Sequence, residues 1–424
     1  MLNTLMELFA SFFDRQQLLA WARDVRAVIR LRDIHPQDFC AALIGCAIGD
    51  EERSIASARR LYFCITGNIP EESSFYERFT DRMSALLQRL FQRALDLTSA
   101  EHRAELARAL GGTGIVDILA ADATQVMLPR AAAAVLPSTS DLHGGFKLTA
   151  ILSLMFQHIQ SVALTSARVH DRQALRLGRW LHGKLFLLDR GYSDYRLFDD
   201  ICRRGGCFVT RLKKSASPAI TAIRSGLGQA HAGARFDLDL PFRGVVDLDA
   251  RFRFRGGARV LRIIRLRVER DLRNGSRQLV DVWLVTNLSP DVFSAKQVAT
   301  LYRMRWSIEI LFRALKSVGR LDQLRSSTIP VIRCFIFATL IGALLSQEIC
   351  AQMRRARPDV EPSEQRVLML VLAELPSLVA AAGTRGARWR YERFVRALWR
   401  EGTNPNPGRP YVVTRCALEL RHAA

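Results

Sequence analysis

Four polar residues recur along one predicted helix at spacings that place them on one side of it. They are Tyr302, Arg305, Glu309 and Lys316. At about 100° per residue, their separations put all four within a sector of roughly 60°. A separate side of the helix is apolar and carries Leu301, Ile308, Leu311, Phe312 and Leu315. The polar stripe is therefore either a solvent-exposed face with helical ion pairs, or a catalytic acid flanked by cations that hold phosphates.

Two further carboxylates favour the catalytic alternative. Asp122 lies on the first predicted strand of an α/β segment, and Asp189 ends its fourth strand. If these strands form one sheet, both aspartates can meet Glu309 at one end of it. Three crowded carboxylates repel one another unless divalent cations bind between them, and hard oxygen ligands suit Mg²⁺. Two such ions could activate a water or a 3′-hydroxyl and stabilise the leaving oxygen of a phosphodiester.

The elements that must position these acids have the order of an α/β sheet. Strands are predicted at 115–128, 146–154, 159–169, 185–188 and 207–212, and helices at 172–181 and 194–204. The resulting order, β-β-β-α-β-α-β, places the acid-bearing strand ends on one edge. Helix resumes at Ser294 and continues past Lys316, so the polar stripe is predicted to lie on a single helix.

Residues 214–290 predict a different, antiparallel arrangement. Alternating strands at 245–255, 259–269 and 278–287 are joined by hairpin turns at Gly256-Gly257 and Asn274-Gly275. Arginines form a row on each of the first two strands: Arg251, Arg253 and Arg255 on one, Arg265 and Arg267 on the next. These rows are either a solvated sheet face or a basic ribbon along a phosphate backbone.

Helical patterns flank this central part. Residues 1–108 predict helices, including one at 75–97 opened by a capping box of Ser74 and Glu77. The apolar run 334–345 is too short to span a bilayer and predicts a buried helix. After a predicted linker at 354–358, the segment 385–400 is basic and amphipathic.

Composition limits the function classes. The 424 residues are 49% hydrophobic and carry 62 Lys+Arg against 41 Asp+Glu, a net charge of +21. This excludes a disordered tail protein or a disulfide-stapled miniprotein, and it favours nucleic acid over a membrane surface as the partner. The eight cysteines form no C-x-x-C pair, and the N-terminus lacks a signal peptide's basic region, so a soluble cytoplasmic protein with reduced thiols is expected.

The motifs together resemble those of a known family. The spacing of Tyr302, Arg305, Glu309 and Lys316 resembles the YREK signature of DDE transposases of bacterial insertion sequences, in the group called insertion-sequence family four. Asp122-Ala123-Thr124 and Asp189-Arg190-Gly191-Tyr192 resemble its two aspartate motifs, and Thr286-Asn287-Leu288 is also typical. The resemblance covers about residues 115–345.

The resemblance implies an α/β fold with a ribonuclease-H-like catalytic core, a mixed five-stranded sheet with helices. An antiparallel β insertion interrupts this core, and helical regions flank it. The predicted domains are a helical DNA-binding region at 1–110, the core at 111–213 and 291–350, the insertion at 214–290, and a helical C-terminal region at 351–424.

The resemblance also implies residue roles. Asp122, Asp189 and Glu309 would be catalytic and hold two Mg²⁺ ions, for which Mn²⁺ could substitute, while Tyr302, Arg305 and Lys316 would position the DNA end. In hairpin-forming relatives a tryptophan of the insertion stacks on a flipped base. Trp283 lies near the matching place, where base stacking and packing in the sheet core both remain open.

The predicted function is cut-and-paste DNA transposition in the bacterial cytoplasm, in association with the nucleoid. The protein would bind terminal inverted repeats, cleave them with Mg²⁺, and join them to target DNA, acting as a homodimer in a synaptic complex and without a membrane. Two alternatives remain: a metal-dependent nuclease without strand transfer, and a transposase-derived DNA-binding protein without activity. The complete acidic triad disfavours the second alternative.

Overall fold

The computed structural model describes residues 1–47, 54–97, 104–139, 143–156, 158–271, 277–317, 324, 326–382, 384, 386–405 and 412–422. In this part of the chain, one large mixed sheet packs against a body of helices. The mixed α/β class expected from the sequence is confirmed.

The sheet contains nine described strands. They are β1 (Asp117–Leu128), β2 (Gly144–Ser153), β3 (His158–Ser166), β4 (Lys184–Leu188), β5 (Cys207–Arg211), β6 (Ala219–Ser225), β7 (Val246–Phe254), β8 (Gly257–Asp271) and β9 (Arg277–Thr286). Their spatial order is β3-β2-β1-β4-β5-β9-β8-β7-β6. β1, β4 and β5 are parallel and the other neighbours are antiparallel. The five strands expected for the core thus lie together on one side.

The sheet is larger than the sequence predicted, because the insertion extends it. β9 pairs with β5, and Val209 lies opposite Thr286. β6 was not predicted, and its register with β7 shifts at two places, between Ile220 and Ala222 and again between Ile223 and Ser225. Such irregularities remove the strict alternation by which a strand is recognised in a sequence.

Apolar cores cover both faces of the central strands. All four residues of 185–188 are buried, as are the four residues 118–121 of β1. Leu119 and Ala121 contribute to one core, whereas Ile118 and Ala120 contribute to the other. Near-continuous burial of this kind is typical of parallel strands between two helical layers.

Helices cover the two faces unequally. One face carries α9 (Tyr195–Arg203), and the other carries α10 (Ala295–Arg303) and α11 (Trp306–Ser317). Between β3 and β4 the chain has only a four-residue helix, α8 (Asp171–Ala174), and a 3₁₀ turn at Arg179–Leu181. The helix predicted at 172–181 is therefore wrong, since Gly178 is extended and interrupts it.

The remaining helices form one body from both ends of the chain. They are α1 (Leu2–Phe12), α2 (Arg15–Asp24), α3 (Pro36–Cys46), α4 (Ile55–Thr66), α5 (Glu72–Tyr76), α6 (Asp81–Leu97), α7 (Ala104–Ala109), α12 (Ile329–Ala356), α13 (Glu364–Ala381), α14 (Ala387–Glu401) and α15 (Val412–His422). The capping box predicted at Ser74 is wrong, because Ser74 lies inside α5. A new helix begins at Asp81, and Thr80 Oγ1 accepts a hydrogen bond from the Met83 N–H at 3.2 Å.

α12 is the central helix of this body. It packs on α3, α6 and α13, and most of its residues are buried inside the protein, although its length and composition alone would suffice to cross a membrane. The predicted buried helix at 334–345 is confirmed as part of it. The boundary expected at residue 350 falls inside α12, so the chain continues without a break from the core into the C-terminal region.

The single helix predicted to carry the polar stripe is divided in two. Between α10 and α11 the chain makes a tighter turn, in which the N–H groups of Met304 and Arg305 bond to Leu301 and Tyr302 at 3.0 and 3.1 Å. The turn buries Met304 completely. Tyr302 therefore lies on α10, Arg305 on the turn, and Glu309 and Lys316 on α11.

Candidate active site

The parallel pairing of β1 and β4 brings Asp122 and Asp189 to the same level of the sheet. Ala121 lies opposite Leu188, so the two aspartates are the next residues along adjacent strands, which are about 4.8 Å apart. Asp122 shares its face of β1 with Ala120, which belongs to the core on the α11 side. Both carboxylates thus occupy the edge at which β4 ends.

α11 brings Glu309 towards the same edge. α11 packs on β1, its residues Ile308 and Leu311 are buried, and Glu309, which lies between them in the sequence, is partly exposed. The Glu309 carboxylate accepts a hydrogen bond from Arg305 Nη2 at 2.5 Å. Arg305 therefore neutralises Glu309 in the free protein.

The pKa of Asp122 depends on all of these groups. Burial raises the pKa of Asp122 to about 6, while a hydrogen bond from the Ala123 N–H (2.8 Å) and the charge of Arg305 oppose the rise. The charges of Asp189 and Glu309 raise this pKa further. Asp122 is thus within electrostatic reach of both Asp189 and Glu309, although the three acids are far apart in the sequence.

Tyr302 lies near Arg305 and Asp189. Its side chain is buried, and burial raises its pKa to about 12, with Asp189 adding to the rise while Arg305 and Arg211 oppose it. The Arg305 guanidinium lies 5.8 Å from the ring centroid, and the Tyr302 hydroxyl has no hydrogen-bond partner in the described residues. Lys316, partly exposed in the last turn of α11, lies about 10 Å along the helix from Glu309. Tyr302 and Arg305 thus adjoin the acids, whereas Lys316 lies two turns away.

The comparisons with known proteins point the same way. The family model described as "Transposase DDE domain" matches residues 116–345, more than half of the chain. The chain belongs to the DDE transposase family. It is similar to the putative transposase InsL of insertion sequence element IS186A from Escherichia coli (strain K12), with 46% identity over 85 residues, which is 20% of this chain and 23% of the relative.

Two more relatives of this DDE chain match over limited lengths. The transposase of insertion sequence element IS1151 from Clostridium perfringens is 32% identical over 80 residues, 19% of this chain and 17% of the relative. The putative transposase y4zB from Sinorhizobium fredii (strain NBRC 101917 / NGR234) is 26% identical over 194 residues, 45% of this chain and 49% of the relative. The chain thus spans between about a sixth and a half of the length of these relatives.

DDE transposase domains use divalent metal ions, and the donor set of this DDE chain fits such ions. Asp122, Asp189 and Glu309 offer only carboxylate oxygens, the ligands that hard cations prefer. Among the described residues, however, no three acidic, histidine or cysteine side chains are grouped closely enough to hold one ion. Glu309 is turned to Arg305 instead. In this conformation the three acids do not form a metal site within the described residues.

The structure adds residues that the sequence did not single out as functional in this DDE chain. Tyr192 is buried, and its hydroxyl has no hydrogen-bond partner among the described residues. Burial and the carboxylates of Asp171, Asp122 and Asp189 all raise its pKa. Arg211 ends β5 next to β4 and lies near Tyr302. In the sequence, the Asp-Arg-Gly-Tyr motif could have pointed to Tyr192, and the position at the end of a predicted strand could have pointed to Arg211.

A cleft opens beside Asp189. It has a volume of about 550 Å³ and is lined by Asp189, Arg190, Gly191, Lys213, Lys214 and Ser215. Lys213 and Lys214 are exposed and adjoin Asp189, which is a position suited to a DNA phosphate contact.

Trp283 is packed within the insertion. Its ring lies 5.3 Å from that of Phe236 and 4.9 Å from that of Phe242, and the Arg265 guanidinium lies 5.7 Å from its centroid. This partly buried environment favours packing in the sheet core. Base stacking by Trp283 stays a prediction.

The two arginine rows of the insertion differ. Arg265 and Arg267 are both paired with Asp281, which neutralises part of their charge. Arg251, Arg253 and Arg255 are exposed and form no ion pair in the described part of the chain. Of the two rows, only the one on β7 is a free basic surface. The Asn274-Gly275 turn lies outside the described residues.

The first testable prediction concerns Asp122. Because burial and the two neighbouring acids raise its pKa to about 6, the metal-free protein should carry a neutral Asp122 below pH 6 and a charged one above it. Carboxyl ¹³C resonances, assigned with Asp122→Asn, measure this titration. Asp189→Asn removes one repelling charge and should lower the midpoint, whereas a wild-type midpoint near 4 would contradict the buried, crowded site.

Proposed function

We propose that this protein cleaves the ends of an insertion sequence and joins them to target DNA, as a member of insertion-sequence family four. The observation that carries the proposal is the approach of Asp122, Asp189 and Glu309 at one sheet edge, with Arg305 beside them. We assign the three acids as metal ligands and catalytic residues. When bound at this site, divalent cations, in our proposal two Mg²⁺ replaceable by Mn²⁺, supply charge stabilisation for the attacking and leaving oxygens.

Arg305 has two roles in this proposal. In the free protein it pairs with Glu309 and offsets the repulsion among the acids. A DNA phosphate is a competing anionic partner, to which a guanidinium can bind through two parallel hydrogen bonds. Binding of the DNA end would then draw Arg305 away and free Glu309 to turn towards Asp122 and Asp189.

Other parts of the protein would also place the DNA. Tyr302 would support the Arg305 guanidinium with its ring. Lys316 would contact a phosphate two helical turns from Glu309. The N-terminal region 1–110 remains our candidate for recognising the inverted repeat, and we propose a homodimer for holding the two ends together.

The experiment uses the inverted repeats that flank the coding sequence as substrate. Labelled end DNA, supercoiled target plasmid and the full chain are incubated with Mg²⁺, with Asp189→Asn as the control. We expect strand cleavage followed by a joined end–target product, and neither with the control. Cleavage without joining would identify a nuclease, and end binding without cleavage would identify a non-enzymatic DNA-binding protein; either result overturns the proposal.

A further inference from the structure

α14 has one face fixed in the helical body. Ala387, Tyr391, Phe394 and Leu398 are buried at successive turns. The rings of Tyr391 and Phe394 lie 5.8 and 6.4 Å from that of Phe9 in α1. This packing determines which side of α14 faces outwards.

The outward side of α14 carries a row of aromatic and basic residues, here called the α14 stripe. Its members are Trp389, Arg393, Arg396 and Arg400. They recur at helical spacing and extend over about 16 Å. Trp389 is 56% exposed, and the Arg393 guanidinium lies 5.7 Å from its ring centroid.

Within the stripe, two arginines are free of acidic partners. Arg393 binds the Glu374 carboxylate at 2.8 and 3.0 Å. Arg396 and Arg400 are exposed, and neither forms an ion pair with any described residue. They therefore offer uncompensated positive charge at the surface.

Some nearby arginines behave differently. Arg354 pairs with Glu361, and Arg357 pairs with Asp359 at the end of α12. On α14 itself, Arg388 lies off the stripe and pairs with Glu392. Arg354, Arg357 and Arg388 are thus paired, whereas Arg396 and Arg400 of the stripe, like Arg390 beside it, form no ion pair with any described residue.

We propose that the α14 stripe binds the phosphate backbone of DNA at a place separate from the acidic site. α14 packs on α1 and α13, whereas the acids lie where α11 meets β1. Contacts from the stripe would therefore hold DNA away from the cleavage point and read no bases. This inference rests on the proposed function, since it takes DNA as the partner.

The structure favours DNA over an anionic membrane as the occupant. An amphipathic helix binds a membrane by burying its apolar side among the lipids. In α14 that side is already buried against α1 and α13. The outward side of α14 offers positive charge and one tryptophan. This suits DNA, which is bound at its surface, and not a membrane, into which apolar side chains must insert.

The test measures how the affinity of the full chain for labelled end DNA depends on salt between about 50 and 200 mM. The variant Arg396→Gln/Arg400→Gln should lower the slope of log affinity against log salt by about 1.8, since each lost phosphate contact contributes about 0.9. The matched control, Arg357→Gln/Arg388→Gln, removes the same charge from two paired arginines and should keep the wild-type slope. Thermal unfolding checks that both variants are folded.

Equal slopes for the two double variants would overturn the inference. The inference would also be overturned if the wild-type protein bound phosphatidylserine vesicles, the stripe variant alone lost this binding, and the salt slope of the stripe variant for DNA were the same as that of wild type. The stripe variant should still cleave end DNA at saturating protein, whereas Asp122→Asn should bind with the wild-type slope and not cleave. Failure of the wild-type protein to cleave would thus count against the proposed function. The salt slopes of DNA affinity test the α14 stripe separately.

Discussion

Replacing Glu309 with glutamine should lower the rate of DNA cleavage by about a thousandfold or more, because removing one member of a catalytic group abolishes most of its effect. Glutamine has nearly the shape of glutamate but carries no charge, so it is a poor ligand for a hard cation. The substitution should leave the packing of α11 intact, since Glu309 is partly exposed and the buried residues of the helix, such as Ile308 and Leu311, are unchanged.

The same substitution should leave binding of the DNA end equal or slightly tighter. Glu309 pairs with Arg305 in the free protein, and its loss releases that guanidinium for a phosphate while removing a nearby negative charge. Single-turnover cleavage and fluorescence anisotropy on the same labelled end separate the two effects. A suitable control is Glu419→Gln, which removes the surface partner of Arg303 on α10 and should cleave normally. Cleavage by Glu309→Gln at the control rate would contradict the assignment.

The position of Asp122 and Asp189 at one edge of the sheet could be predicted, because each signal is local. Asp122 and Asp189 each follow a short apolar run, and parallel strands present such ends at one edge. The break in the helix at Met304 and Arg305 could not be predicted, because a turn with i→i+3 hydrogen bonds changes the helical phase only slightly. The apolar positions continue through it without a visible gap in their spacing.

The size of the sheet could not be predicted, because alternation identifies a strand but not its neighbour. β5 and β9 pair across some seventy residues, and the side chains that secure them belong to the Thr286-Asn287 motif. Thr286 Oγ1 donates to the Phe208 carbonyl at 2.6 Å, and the Phe208 N–H donates to Asn287 Oδ1 at 2.9 Å. The motif therefore joins the insertion to the core, a role that only the register reveals.

The state of each arginine was equally hidden in the sequence. Arg251 and Arg265 are each part of a row on an alternating strand, and nothing local distinguishes them. Asp281 neutralises Arg265 because β9 places it beside β8 in the folded sheet. Strand pairing determines which arginines are free to bind DNA. The net charge of the sequence therefore does not identify them.

Removing the carboxylate of Asp247 should lower the free energy of unfolding by about 3–5 kcal/mol, the usual effect of leaving one partner of a buried ion pair unpaired. Arg262 is only 3% exposed, and its guanidinium bonds to both Asp247 oxygens at 2.8 and 2.5 Å. It also donates to the Phe293 carbonyl at 2.7 Å, just before α10 begins. The pair thus connects the insertion to the segment that leads to Glu309.

Urea unfolding of Asp247→Ala measures this loss, and Asp24→Ala is the control because its pair with Arg89 is exposed and should contribute under about 1 kcal/mol. Replacing both partners, as Asp247→Leu/Arg262→Met, should recover much of the loss, since no charge is then left buried. Burial alone raises the pKa of Asp247, but hydrogen bonds and charge from Arg262 and Arg224 outweigh it and lower the pKa below its ordinary value.

The sign of the pH effect follows from that lowered pKa. The contribution of the Asp247 pair should be complete above the pKa of an unfolded aspartate, about 3.9, and should disappear as the pH falls through the lower folded pKa. Wild type and Asp247→Ala should therefore differ fully at pH 7 and converge in strong acid. An unfolding free energy for Asp247→Ala within 1 kcal/mol of wild type at pH 7 would show that the insertion is held to the α10 segment by apolar packing instead.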